Sequence, residues 1–234
     1  MVRKTLKKKT FLKIQWKRIF ETNHFIFLIP EELLFQKADA IRCEKHFLNV
    51  CKAFGFPTHW KNKIKIYLAP NRDFIKKVFD RETYGFILNR SAIVSIYAFH
   101  PHEITHLIFE HCLGKSHPVF EEGVAVLYGW RKGNQILWRG RSLMFWMKKL
   151  QKENKIVSLN VLFDNFSSID SLISYPLSGV FVQCFIDDFG TRSFKKIYAA
   201  VNRRDSYKTI KKKFKVITGK DFDQFENKFW RKFQ

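Results

Sequence analysis

The chain has no run of apolar residues approaching the roughly eighteen needed to span a bilayer. Its richest stretch, Phe25-Ile26-Phe27-Leu28-Ile29, is strand-sized, so no transmembrane segment is expected. Its first twenty residues are basic but lack an apolar core, which argues against a secretory signal. Only four cysteines occur, Cys43, Cys51, Cys112 and Cys184, with no CxxC pair and no dense framework. They read as buried free thiols in a reducing compartment, and the expected location is cytoplasmic. Glycine and proline are sparse and scattered as punctuation, and neither an internal repeat nor a low-complexity linker is present. Acidic residues are few, 21 against 43 lysines and arginines, leaving a formal net charge of +22.

What remains is a chain of 234 residues, 46% hydrophobic and 17% aromatic, too apolar for disorder and long enough to bury a substantial core. The surplus charge sits mostly at the ends: residues 1–20 carry +8 and residues 192–234 carry +10. Such ends offer electrostatic contact with nucleic acid, anionic lipid or an acidic partner, although charge runs are more often solvated helix faces. No nucleic-acid-binding motif accompanies them.

After a basic N-terminal arm over residues 1–22, the pattern predicts a strand at His24–Ile29, a long helix Glu31–Phe54 stopped by Gly55, and a strand at Ile64–Leu68. A short helix around Asp73–Phe79, a segment Tyr84–Leu88 and a strand Ala92–Phe99 complete an α/β part over residues 23–100. From Pro101 the periodicity is helical: Pro101–Leu113 with Gly114 as its stop, a helix from Pro118 through Glu122 to Tyr128, then Arg141–Lys152, Ser171–Phe189, Arg192–Asn202 and two shorter segments. The expected fold class is α+β, a small N-terminal α/β sheet part followed by a mainly helical part over residues 101–234, with a metal site where the two meet.

That site is indicated by His102-Glu103-Ile104-Thr105-His106, an HExxH motif that random placement would produce in about one such chain in a hundred. On a helix, positions i and i+4 share a face, so His102 and His106 can address one metal ion. Zinc suits two imidazoles and one further ligand, with an open fourth position for water. Glu103 lies beside that face, placed to take a proton from the attacking water and pass it to the leaving amine. The pattern therefore points to a zinc-dependent hydrolase acting on peptides.

For the third ligand the sequence offers alternatives. Glu121 and Glu122 are adjacent and point about 100° apart on a helix, so only one can face the metal. Glu122 is favoured because Gly123 permits a close helix approach; Glu121 is then a solvated neighbour or a substrate-facing acid. His117, beyond the Gly114 break, is a rival that would swing back as a third histidine. Glu110 sits two turns along the same helix, about 12 Å from His102, too far to join it. The extended pattern HExxHxxGxxH is excluded, since Phe109 and Cys112 occupy its Gly and final His positions.

The segments HPHEITHLIFEHCLG and PVFEEGVAVLYG resemble the HExxH…(W/F)xxEGxA pattern of gluzincins, the peptidase-MA-like zinc metallopeptidases. Phe120 is offset by one from the usual aromatic place, whereas Glu122-Gly123-Val124-Ala125 matches. Tyr67–Phe74, Tyr175–Val182 with Asp188-Phe189-Gly190, and Thr218–Trp230 are similar to segments these proteins place around the site, so the likeness covers about residues 24–232. The resemblance implies a zincin-like active-site cleft between the two parts, zinc held by His102, His106 and Glu122, and Glu103 as general base and acid. It implies that strand Ala92–Phe99 pairs with an extended peptide. It makes Tyr175 a candidate for steadying the oxyanion, with packing at a helix start as the alternative. Thermolysin-type members carry an acid four residues after the ligand glutamate; here that place is Val126, so the partner orienting a zinc-bound histidine must come from elsewhere.

Three function classes follow. The first is a gluzincin-type peptidase with a peptide or protein substrate. The second is a DNA-associated HExxH protease with His117 as third ligand, and the third is a non-catalytic basic scaffold binding nucleic acid or acidic partners. The intact Glu103 argues against the last.

Overall fold

The computed structural model describes residues 11, 14–30, 33–132 and 135–233. The fold is α+β, with a five-stranded sheet near the N-terminus and a helical region after it. Two compact units, residues 1–108 and 109–234, divide within one helix.

In the first unit, strands β1 (Lys17–Glu21), β2 (Phe25–Ile29), β3 (Ile64–Leu68), β4 (Gly85–Asn89) and β5 (Ala92–Ser95) form a sheet of order β1-β2-β3-β5-β4. The three central strands are parallel, and β1 and β4 run antiparallel at the edges. Strict alternation in β2 and β3 buries Phe25, Phe27, Ile29, Ile64, Ile66 and Leu68. Helix α1 (Lys37–Phe54) buries Cys43, Phe47, Val50 and Phe54, and the Phe47 ring meets Phe25 edge-on at 6.1 Å. Gly55 ends α1 in the left-handed region at φ 60°, where a residue with a Cβ is strained. Helix α2 (Arg72–Phe79) starts on an Asn71 cap whose side chain accepts the Phe74 N–H.

Helix α3 (Pro101–Leu113) begins and ends where the sequence places it, with Pro101 in its first turn and Gly114 beyond it at φ 83°. The following unit holds α4 (Pro118–Leu127), a hairpin sheet of β6 (Arg131–Lys132), β7 (Gln135–Trp138) and β8 (Arg141–Ser142), and α5 (Leu143–Lys152). After these come α6 (Leu159–Asp164), the 30-residue α7 (Ser171–Ala200), α8 (Tyr207–Thr218) and α9 (Phe222–Arg231). Gly190, at φ 76° and ψ 166°, breaks α7 at the point where the sequence pattern separates two helices. The abundance of phenylalanine is explained here: Phe120, Phe163, Phe181, Phe185, Phe194, Phe214, Phe222 and Phe225 form one network of ring contacts at 5.0 to 6.4 Å.

Several expectations are corrected. The basic arm over residues 1–22 contains β1, because an edge strand accommodates charge: Glu21 pairs with Lys63, which also donates to the Thr22 carbonyl at 2.7 Å. The long helix starts at Lys37, not Glu31. Residues 31–32 lie outside the described residues, and Leu33 and Phe35 pack instead as alternate positions of an extended segment, Phe35 against Phe20 and Phe27. Strand Ala92–Phe99 stops at Ser95, whose hydroxyl accepts the Tyr97 N–H and turns the chain. This β5 is paired on both sides, to β3 and β4, so it has no edge to offer a peptide; β4 takes the edge position. The hairpin sheet and α6 are absent from the sequence reading. Among the described residues no helix is long and apolar enough to cross a membrane, and all four cysteines are free, three of them buried.

Candidate metal centre

His102 and His106 stand one turn apart on α3, as the i, i+4 spacing requires. Within the first unit α3 is tied down on its other side. Thr105 Oγ1 donates to the Pro101 carbonyl at 2.8 Å, so it accepts from His46 Nε2 of α1 at 2.9 Å. These bonds fix the rotation of the helix and hence the direction of the two imidazoles. His102 is buried, 8% exposed, and the Nε2 atoms of His102 and His106 approach to 3.1 Å with ring planes at 85°.

Glu122 is the third member. One ligand atom each from His102, His106 and Glu122 lies within 4.8 Å of the other two. A tetrahedral zinc with bonds of about 2.1 Å holds its donor atoms about 3.4 Å apart. The imidazole pair is within a few tenths of that spacing, and two nitrogens with one carboxylate oxygen form a donor set typical of a hydrolytic zinc site.

The direction of Glu122 is set by how α4 packs. A Cβ on Gly123 would lie 2.5 Å from Val182 Cγ2 and 2.6 Å from the Ser178 carbonyl oxygen, so only glycine admits α7 this closely. The fit is reciprocal: a Cβ on Gly179 of α7 would lie 2.7 Å from Val126 Cγ1 of α4. The adjacent Glu121, half-buried, has a structural use: its carboxylate accepts the Ser116 N–H at 2.7 Å and fastens the turn entering α4. Ser116 itself donates to the Tyr198 carbonyl at 2.7 Å. With Glu121 so used, the 100° step along the helix turns Glu122 another way.

The remaining candidates are employed elsewhere. His117 is the N-cap of α4, its Nδ1 accepting the Val119 N–H at 3.3 Å, and its ring lies 5.3 Å from Phe163. Burial pushes its pKa down to about 4, so it is a neutral core histidine. Glu110 faces Lys115 at 3.7 Å. Tyr175, near the start of α7, stacks on Trp138 at 4.9 Å and 28°. Glu103 lies on α3, half-buried, next to His102.

His100, two residues before the first histidine of the motif, is built into the surroundings of the centre. His100 is buried at the start of α3, and its carbonyl accepts the Ile104 N–H at 3.1 Å. Ser95 Oγ, which accepts the Tyr97 N–H, also shares a hydrogen bond of 2.9 Å with His100 Nδ1. Burial, then the nearby His102 and His106, lower its pKa to about 3, so it adds no positive charge beside the histidine pair. Gly85 makes room for it: a Cβ there would lie 2.5 Å from His100 Nδ1. The signal in the sequence is only a serine five residues before a histidine, which no motif distinguishes. Comparison with protein-family models gives no match, and comparison with curated proteins gives none either.

Proposed function

We propose that the protein is a zinc-dependent metallopeptidase of gluzincin type. The observation that carries this reading is the convergence of His102, His106 and Glu122 ligand atoms within 4.8 Å. Two neutral imidazoles and one carboxylate would hold the ion with a residual charge of +1. Zinc supplies Lewis acidity there, lowering the pKa of water and polarising the carbonyl under attack. Glu103, the motif's acid beside His102, accepts the proton of the attacking water and delivers it to the departing amine nitrogen. His100, buried and hydrogen-bonded to Ser95, stands beside this first turn of α3.

The substrate is a peptide or protein segment in extended form. With β5 enclosed, its neighbour β4, one of the two edge strands, offers a place where an added strand can pair. The location we assign is cytoplasmic, supported by four free thiols with no disulfide. The test is hydrolysis of a quenched-fluorescence peptide library by zinc-loaded protein. Glu103→Gln should lower kcat by about 10²- to 10⁴-fold, the usual range for removing a general base, while retaining the metal. Equal turnover by this variant and the parent would refute the assignment.

A further inference from the structure

A column of side chains leads outward from the histidine pair within the first unit, and the chemistry assigned above uses none of it beyond His100. The His102 and His100 rings lie 6.5 Å apart. Tyr97 meets His100 edge-on at 5.5 Å, and Tyr84 stacks on Tyr97 at 6.0 Å with planes at 17°. The Arg72 guanidinium caps the column, 4.5 Å from the Tyr84 ring centroid. Tyr84 and Tyr97 are 46% and 41% exposed, unusual for two large rings that a folded chain could have buried. Tyr84 also immediately precedes the edge strand β4, and its carbonyl accepts the Ile96 N–H at 2.9 Å, so the column borders the edge available to an extended peptide.

Arg72 is the informative member. Stacking uses the face of a guanidinium and leaves its N–H groups in the plane, where they match a carboxylate. One of them makes a long contact of 3.5 Å to the Tyr84 hydroxyl, and among the described residues no carboxylate pairs with Arg72. A surface depression of about 570 Å³ opens beside it, lined also by Pro70, Asn71 and Ile96. Of its other charged groups, Lys76 and Glu82 form an ion pair with each other, Glu82 also feeling the charge of Arg72, and Asp73 lies in the first turn of α2. Arg72, held on the Tyr84 ring and with no carboxylate in direct contact among the described residues, thus borders a cavity large enough for a side chain.

We propose that Arg72, held on the Tyr84–Tyr97 stack, forms a distal subsite of the metal centre that selects a carboxylate-bearing side chain of the peptide substrate, several residues from the scissile bond. This rests on the peptidase reading for its substrate but is read out by binding. Neutral twelve-residue fluorescent peptides, each with a single Glu moved along the sequence and a matched Gln control, are titrated against zinc-loaded Glu103→Gln protein by anisotropy. At one register the Glu peptide binds about tenfold tighter than its Gln control, the effect of one charge-assisted pair. The ratio falls to about one when Arg72→Gln is added and lies between for Arg72→Lys, which keeps charge without the planar fork. Because each ratio compares two peptides on the same preparation, a partly unfolded variant does not distort it.

A ratio near one at every register, or a ratio unchanged by Arg72→Gln, overturns the proposal. Incubating the same peptides with the Glu103-containing protein separates the two ideas. Equal cleavage of Glu and Gln peptides sinks the subsite and leaves the peptidase standing. Selective binding without cleavage sinks the peptidase and leaves the subsite.

Discussion

Replacing Gly123 by alanine should weaken both the fold and the metal centre, and the two effects can be measured apart. The added methyl would lie 2.6 Å from the Ser178 carbonyl oxygen and 2.5 Å from Val182 Cγ2. A carbon normally keeps about 3.3 Å from a carbonyl oxygen, so α4 must retreat from α7 by about 0.7 Å. Overpacking of this kind costs about 1–3 kcal/mol, partly offset by the gain of about 0.8–1 kcal/mol from alanine's better helix propensity. The net expectation is a loss of up to about 2 kcal/mol, or up to about 8 °C in Tm for a chain of this length. Glu122 moves with α4, so zinc affinity should fall by about tenfold or more, the effect seen when supports of a metal ligand are lost. Gly179→Ala meets mainly the Val126 and Leu143 side chains, which can yield, and should cost less than Gly123→Ala. Urea unfolding gives the stability and a chelator competition gives the affinity. A Gly123→Ala protein as stable as the parent, with unchanged zinc affinity, would refute the close-approach argument.

His117→Ala should leave zinc binding intact while costing about 0.5–2 kcal/mol through loss of the α4 cap, read by urea unfolding beside a metal assay. Ser95→Ala should cost about 1–3 kcal/mol, because it strands the buried His100 Nδ1 and removes the acceptor for the Tyr97 N–H. Stability should also fall in acid through Glu44. Burial alone would raise its pKa, but hydrogen bonds from Thr22 and His24 hold it below the usual value. A depressed carboxylate contributes stability above its unfolded value of about 4.3 and loses it as pH falls through the folded value. Denaturation midpoints between pH 7 and pH 3 should therefore decline less steeply in Glu44→Gln, and an identical slope would count against the His24–Glu44 contact.

Much of the centre was legible because its information is local. HExxH fixes two side chains through one helical turn, and Gly123 announces a close helix contact before any partner is known. The α+β order was legible for a similar reason, since the alternation in Ile64–Leu68 and the period from Pro101 onward each report one element. What the sequence hid depends on pairing between distant segments. Nothing in Ala92–Phe99 reveals that β4 folds back to cover its free side, which moved the open edge to Gly85–Asn89. Leu33 and Phe35 fit a helical pattern, yet they precede the helix, with Phe35 packed on Phe20 and Phe27. His117 looked like a ligand because histidine is a metal residue, whereas its environment, visible only in the fold, is a helix cap against Phe163.

The central claim is that three particular side chains hold one zinc ion, and zinc stoichiometry with affinity tests it most directly. Protein loaded with excess zinc and desalted is measured by native mass spectrometry, alongside His102→Ala, Glu122→Ala, His117→Ala and Glu103→Gln. One zinc per chain in the parent, in Glu103→Gln and in His117→Ala, with loss in His102→Ala and Glu122→Ala, is the predicted result. A parent protein without metal, or a zinc ion retained equally in His102→Ala and Glu122→Ala, would contradict the account.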